Sequence, residues 1–185
     1  MPCLITRGAT ITCDQLKRAG GVGKKVWGFN ISQLVSAIDT SLEDYIRSIE
    51  LSSYQLMYAF ESGKFSHEMS VTQNNGEGGN VSYTHQLIIR VPNPTPTITA
   101  ALEDLATADT AWIVQTNNNE FKILGGANGL ASSALTDGSG RVVTDSSIAV
   151  VTLTGVEQYM PKFFSRNGTG TDTSAVLAYL NARVA

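Results

Sequence analysis

The sequence predicts a mainly β protein with one flanking α-helix and a short C-terminal helix. Three observations predict it. Val81, Tyr83, Leu87, Ile89 and Val91 fall at alternate positions, interrupted only by His85, and period two over that length is strand geometry. Short apolar runs recur between clusters of Gly, Asn, Ser and Asp, the residues that tolerate turn conformations. A clean helical period inside the chain follows Pro92, Pro94 and Pro96.

In chain order, residues 1–23 read as an extended arm ending in the turn Gly20-Gly21-Val22-Gly23. A strand follows at Lys25–Asn30, with Val26, Trp27 and Phe29 as its bulky members. Glu43–Leu51 alternates. Tyr54–Phe60 and Phe65–Thr72 are two strands that the short Ser62-Gly63-Lys64 connection predicts as a hairpin. The polar loop Gln73–Asn80 leads into the Val81–Val91 strand, which is expected to pair with Phe65–Thr72 across it.

After the prolines, Ile98, Ala101, Leu102 and Leu105 stand at i, i+3, i+4 and i+7. That spacing makes residues 97–108 an amphipathic helix, with Thr95 or Thr97 as its cap and Pro96 near its start. Ala111–Thr116 and Glu120–Leu124 read as strands around an Asn117-Asn118-Asn119 turn. Gly125–Gly129 needs residues that tolerate positive φ. Leu130–Leu135 is a weaker strand, residues 136–140 a turn, Ile148–Thr154 a Val/Ile/Thr-rich strand and Lys162–Ser165 a last short one. A polar linker precedes the helix Ser174–Arg183, which carries Val176, Leu177 and Leu180 at helical spacing and is capped by Asp172 or Thr173. The organisation is one β-rich domain over residues 1–165 with an N-terminal arm (1–24), then linker and C-terminal helix over 166–185.

A chain of 185 residues suits one domain. It buries roughly 70% of its unfolded surface and needs no metal or disulfide to hold together. Two cysteines, Cys3 and Cys13, are too few for a disulfide scaffold. The expectation is synthesis in a cytoplasm, since the N-terminus lacks the apolar run of a signal peptide and no stretch is apolar enough to span a bilayer. The net charge is −3, whereas tight nucleic-acid binding rests on clustered Lys and Arg.

Charge is unevenly placed. Five of thirteen basic residues (Arg7, Lys17, Arg18, Lys24 and Lys25) fall in the first thirty positions, against one of sixteen acids, Asp14. Such a basic arm is suited to dock on an acidic partner through Lys17, Arg18, Lys24 and Lys25, against the plainer reading of a solvated loop.

Catalytic chemistry finds no support. The two histidines, His67 and His85, both lie in predicted strands. A metal held between them would lack further ligands at the usual spacing. No nucleophile elbow or metalloprotease motif occurs, and Gly20–Lys25 lacks the spacing of a phosphate-binding loop. The acid pairs Glu43-Asp44 and Glu103-Asp104 are adjacent in sequence and point apart. The chain is not expected to be an enzyme, and no cofactor, metal or catalytic residue is assigned.

The run Phe121-Lys122-Ile123-Leu124-Gly125-Gly126-Ala127-Asn128-Gly129-Leu130, then Ala149–Glu157 and Pro161, resembles the C-terminal half of tail structural proteins from tailed bacteriophages of Bacteroidetes, including crAss-like phages. Cys13-Asp14, Gly20-Gly21, the Lys25–Asn30 strand, the Val81–Val91 strand and the helix after the prolines resemble that family's opening and middle. The likeness covers residues 3–164. It departs at Gly155-Val156-Glu157, where the family pattern has an acid directly after glycine.

The resemblance implies a tail-tube-like β-sandwich or small barrel, with inner sheets that join around a lumen. It implies a homo-oligomeric ring, a hexamer or a dodecamer, in a virion tail, touching other tail and neck proteins and passing DNA transiently without sequence preference. The loop Asn74, Asn75, Gly76, Glu77, Gly78, Gly79 and Asn80 is the expected contact to the next ring, against a free hairpin tip. The alternatives are a receptor- or glycan-binding sandwich of the virion, or a tube subunit of a contractile injection system.

Overall fold

A computed structural model describes residues 20–39, 45–52, 56–63, 66–76, 79–138, 147–168 and 172–184. The alternating strand is its organising element. β6 (Val81–Pro92) buries Leu87, Ile89 and Val91 on one face and leaves the intervening residues half-buried. It lies antiparallel to β10 (Ile148–Glu157), with Leu153 opposite Leu87, Val151 opposite Ile89 and Ala149 opposite Val91. Six apolar side chains therefore stand in one sheet of rows on the same face. β5 (Glu68–Asn75) and β9 (Ala131–Gly138) complete a four-stranded sheet in the order β5-β6-β10-β9.

A seven-stranded sheet packs against that apolar face. Its order is β2 (Leu34–Asp39), β3 (Tyr45–Leu51), β11 (Phe163–Phe164), β8 (Phe121–Leu124), β7 (Thr110–Thr116), β1 (Val22–Asn30) and β4 (Tyr58–Glu61). Its central strands are buried on both faces. Val22 and Val26 of β1 and Trp112 and Val114 of β7 enter the core shared by the two sheets. Trp27, Phe29, Ala111 and Ile113 point the other way, into a second core with Phe121, Phe164 and the C-terminal helix. Gly28 sits directly beneath Trp112: a Cβ there would come within 2.7 Å of the indole ring.

The helices close the molecule. α1 (Pro96–Thr107) has Pro at its start, and the Thr95 hydroxyl accepts the Ile98 N–H. It buries Leu102 and Leu105 in the shared core. α2 (Thr173–Asn181) buries Val176 and Leu180 in the second core, and its Tyr179 hydroxyl bonds both the N–H and the C=O of Ile49 on β3. The result is a β-sandwich with a helix on the outer face of its larger sheet.

Several expectations are corrected. Tyr58–Glu61 and Glu68–Asn75 do not form a hairpin. The first pairs with β1 in the seven-stranded sheet and the second with β6 in the other, so consecutive strands lie in different sheets. β1 begins at Val22, which places Lys24 and Lys25 in the sheet rather than in an arm. Asn74 and Asn75 are strand residues opposite Ser82 and Val81. Thr136–Gly138 extends β9, because Val150 to Ile148 of β10 continue the ladder there. β2 is a further strand that residue pattern does not announce. Asp172 stands at the start of α2 without capping it; its carboxylate instead accepts the Ser165 hydroxyl and the Asn167 N–H.

Candidate functional site

The larger sheet is wider than the smaller. The shared core draws on β4, β1, β7 and the end of β8, while β8, β11 and β3 run on past the β5 border. Along that overhang Lys122, Phe163 and Tyr45 stand in register on the sandwich side. Tyr45 and Phe163 pack with ring centroids 5.8 Å apart, and the Lys122 ammonium lies 5.0 Å from the Phe163 ring. With Met69 and Val71 of β5 and the segment Tyr159–Lys162, they form a trough of about 1050 Å³. At one end, sharing Met69 and Lys122, the trough opens beside Gly20, His67, Glu68 and Glu120. At the other, sharing Tyr159–Lys162, it meets a smaller apolar cavity of about 240 Å³ reached by His85 and Glu157.

His85 and Glu157 are brought together by the β6–β10 register: Gly155 lies opposite His85, so both side chains share the inner face. Glu157 is only 5% exposed, and its Oε1 accepts the Ala127 and Asn128 backbone N–H groups at 3.1 and 2.9 Å. Burial of that carboxylate is offset by these charge-assisted bonds. Gly155 permits the close approach, since a Cβ at that position would strike the Gly129 carbonyl oxygen.

Both histidines are backbone clamps. His85 Nδ1 accepts the Gly125 N–H at 3.3 Å, and its Nε2 lies 3.0 Å from the Tyr159 carbonyl oxygen. His67 Nδ1 accepts the Arg90 N–H at 3.3 Å, with Nε2 3.2 Å from the Lys24 carbonyl oxygen. An Nδ1 that accepts assigns the proton to Nε2, which donates to the carbonyl. Burial lowers the pKa of both rings. For His67 the Lys24 carbonyl opposes the shift and the Arg90 charge reinforces it. For His85 the Tyr159 carbonyl and the Glu157 charge oppose it. With both nitrogens occupied, each ring fastens strands; neither is poised to take a proton from a substrate. The two do not face each other, since Val71 is opposite His85. Among the described residues, no group of three or more His, Cys, Asp or Glu could hold a metal ion.

The residues singled out from sequence lie elsewhere. Gly76 and Asn80 close the β5–β6 turn through the Gly76 N–H to the Asn80 carbonyl. Asn74 donates to the Thr84 hydroxyl at 2.6 Å, and Asn75 accepts from Gln73. Asn74, Asn75, Gly76, Gly79 and Asn80 form an exposed tip; Glu77 and Gly78 lie outside the described residues. Lys24 and Lys25 sit on β1, where the Lys25 ammonium donates to Asn181 of α2. Lys17 and Arg18 are outside the described residues. Two signals for the His85–Glu157 pair were present in the sequence. His85 interrupts the apolar row of β6, and Glu157 continues the alternation of Ala149, Val151 and Leu153.

The outer face of the four-stranded sheet is the other open surface. Its rows run through Ser70, Thr72, Gln86, Ile88, Thr152 and Thr154 and their neighbours. The charges on these rows, Glu68 and Arg90, pair with each other at 3.8 Å. β9 borders this face and is exposed at every residue but Ser132. Among the described residues no helix is long and apolar enough to cross a membrane. Comparison with known proteins gives no match to a family model, a curated protein or a solved structure.

Proposed function

We propose that the chain is a non-enzymatic structural subunit that joins copies of itself, border to border, into the ring or tube of a bacteriophage tail through which DNA passes. The observation that carries self-assembly is the β9 border. It is eight residues long, exposed, and free of Pro, Lys and Arg; its one charge, Asp137, stands near the end. Natural sheet borders are guarded by such residues or by a covering helix; α1 packs beside β9 but leaves all β9 residues except Ser132 exposed, and a border so open is a template for pairing. The nearly charge-free face beside it suits contact, because interface cores are depleted of charge.

β9 of one copy and the opposite border of the same sheet in the next are different surfaces. Head-to-tail contacts of that kind close into rings or continue as filaments. The assignment to a phage tail rests on the resemblance over residues 3–164. The net charge of −3 favours a wall that phosphates slide past over one that holds them.

Light scattering on sized fractions, with negative-stain microscopy, tests the reading on the wild-type chain and on an Ala134→Lys/Thr136→Lys variant. Rings or tubes are expected from the wild type and a folded monomer from the variant, whose border carries two guarding charges. A wild-type monomer at every concentration, or equal assembly by the variant, overturns it.

A further inference from the structure

The β4 border carries a pocket of its own, apart from the trough and from both histidines. Tyr58 of β4 lies opposite Gly28 of β1, and Gly28 opposite Trp112 of β7. Residues paired across neighbouring strands project to one face. Val26, two positions before Gly28, enters the shared core, so this row faces the interior of the sandwich. Because Gly28 has no side chain, the Trp112 indole lies across it. Phe60, opposite Val26, packs on that indole with ring centroids 5.5 Å apart. α1 roofs the row with Ala101, Asp104, Leu105 and Ala108, which stand at i, i+3, i+4 and i+7. The alanines are short, and a pocket of about 240 Å³ is left beneath the helix. Trp112 closes its inner end; Tyr58, 49% exposed, and Asp104 stand at the open mouth. We infer that this pocket binds a small organic cation, an alkylammonium group, between its aromatic walls and the Asp104 carboxylate.

Three observations select a cation. The walls are aromatic, and the negative faces of Tyr, Phe and Trp rings attract an ammonium group and pack against its alkyl substituents. Asp104 interrupts an otherwise apolar stripe of α1. Its backbone carbonyl accepts the Thr107 hydroxyl, while its carboxylate has no hydrogen-bond or ion-pair partner among the described residues. No Lys, Arg or His lines the pocket, and α1 itself carries Glu103 and Asp104 but no basic residue. An anion would therefore meet only negative charge. A neutral apolar ligand would strip water from the carboxylate and return no partner for it. A divalent metal ion needs several oxygen ligands, and one carboxylate does not supply them. An alkylammonium group meets both demands, with its carbons on the rings and its charge beside Asp104. Two sources carry that chemistry, a free quaternary ammonium compound and the lysine side chain of a bound peptide.

Saturation-transfer NMR, which observes the ligand, tests the inference on the full chain whether or not copies assemble. The probes are choline, its uncharged isostere with carbon in place of the nitrogen, and a lysine blocked at both backbone ends. Saturable transfer to the choline methyl groups is expected, with affinity about tenfold above that of the isostere. Asp104→Asn keeps the shape of the side chain at an exposed helix position. It should weaken choline about tenfold without changing thermal unfolding, and Tyr58→Leu should weaken it about threefold. Glu103→Gln removes a neighbouring charge that does not line the pocket and should leave the affinity unchanged. Tighter binding of choline than of blocked lysine assigns the pocket to a free quaternary ammonium compound, and the reverse order to a lysine side chain. Absence of saturable transfer from either cation, equal affinity for the isostere, or a loss in Glu103→Gln as large as in Asp104→Asn overturns the inference. The pocket belongs to a single copy, so failure of self-assembly leaves the inference standing.

Discussion

Acidification should weaken the sandwich well before carboxylates titrate. Each histidine ties the two sheets through backbone groups, and each ring serves as an acceptor at Nδ1, which only a neutral imidazole can do. Protonation would set a charge in a buried site and turn the Arg90 or Gly125 N–H against another donor. Because burial lowers both folded pKa values below the ordinary 6.5, the unfolded chain takes up protons first as pH falls. Stability from this source is fully present above pH 6.5. It is lost as pH falls below 6.5, and the loss levels off below the folded pKa values. The loss at pH 5.5 has an upper bound of about 1.4 kcal/mol per ring and about 3 kcal/mol for two, the value for rings that stay wholly neutral in the native state while the unfolded chain titrates at 6.5. Against a typical stability of 5–15 kcal/mol, that loss is readily measured. The assay is urea unfolding at pH 7.5, 6.5 and 5.5 for the wild type and for His67→Gln, His85→Gln and the double variant. Each single variant should lose about half of the wild-type decline, and the double variant nearly all of it. A wild-type stability that is flat from pH 7.5 to 5.5, or a decline undiminished in the double variant, would refute the clamp reasoning.

Two packing predictions follow from close contacts. Gly28→Ala puts a methyl within 2.7 Å of the Trp112 ring, and neither the indole nor the central strand can yield freely. A loss of about 1–3 kcal/mol is expected in thermal unfolding. Glu157→Ala strips the acceptor from the Ala127 and Asn128 N–H groups. A loss of about 2 kcal/mol is expected, with faster exchange confined to those two amides and their neighbours.

Local rules located most elements. Alternation identified β6, the i/i+3/i+4/i+7 stripe identified α1, and Thr95 with Pro96 marked its start to within a residue. Asn117–Asn119 turned as its chemistry requires, with Asn119 at φ 62°. β2 was missed because Leu34–Asp39 lacks alternation; its ladder with β3 holds it. Thr136, Asp137 and Gly138 look like a turn, yet the ladder with β10 draws them into β9. The hairpin expected between Tyr54–Phe60 and Phe65–Thr72 failed for a different reason. Nearness in sequence favours pairing, but Lys24 and Arg90 each had a better use for the crossing. The Lys24 carbonyl takes the Ser62 N–H and His67 Nε2, and the Arg90 guanidinium donates to the Ser66 carbonyl.

The functional surfaces were less legible. The polar tip and the basic residues are visible in composition, but the trough exists only because one sheet outruns the other. His85 and Glu157 are 72 positions apart and meet only through the β6–β10 register. The amino-acid sequence by itself determined where most strands, both helices and the Asn117–Asn119 turn form, since period, cap chemistry and φ preference act over a few residues. Only the tertiary structure decided which strands are neighbours, which sheet extends past the other and which borders stay open. Those outcomes depend on hydrogen bonds and apolar faces contributed by distant parts of the chain, chosen by how completely two sheets can cover each other.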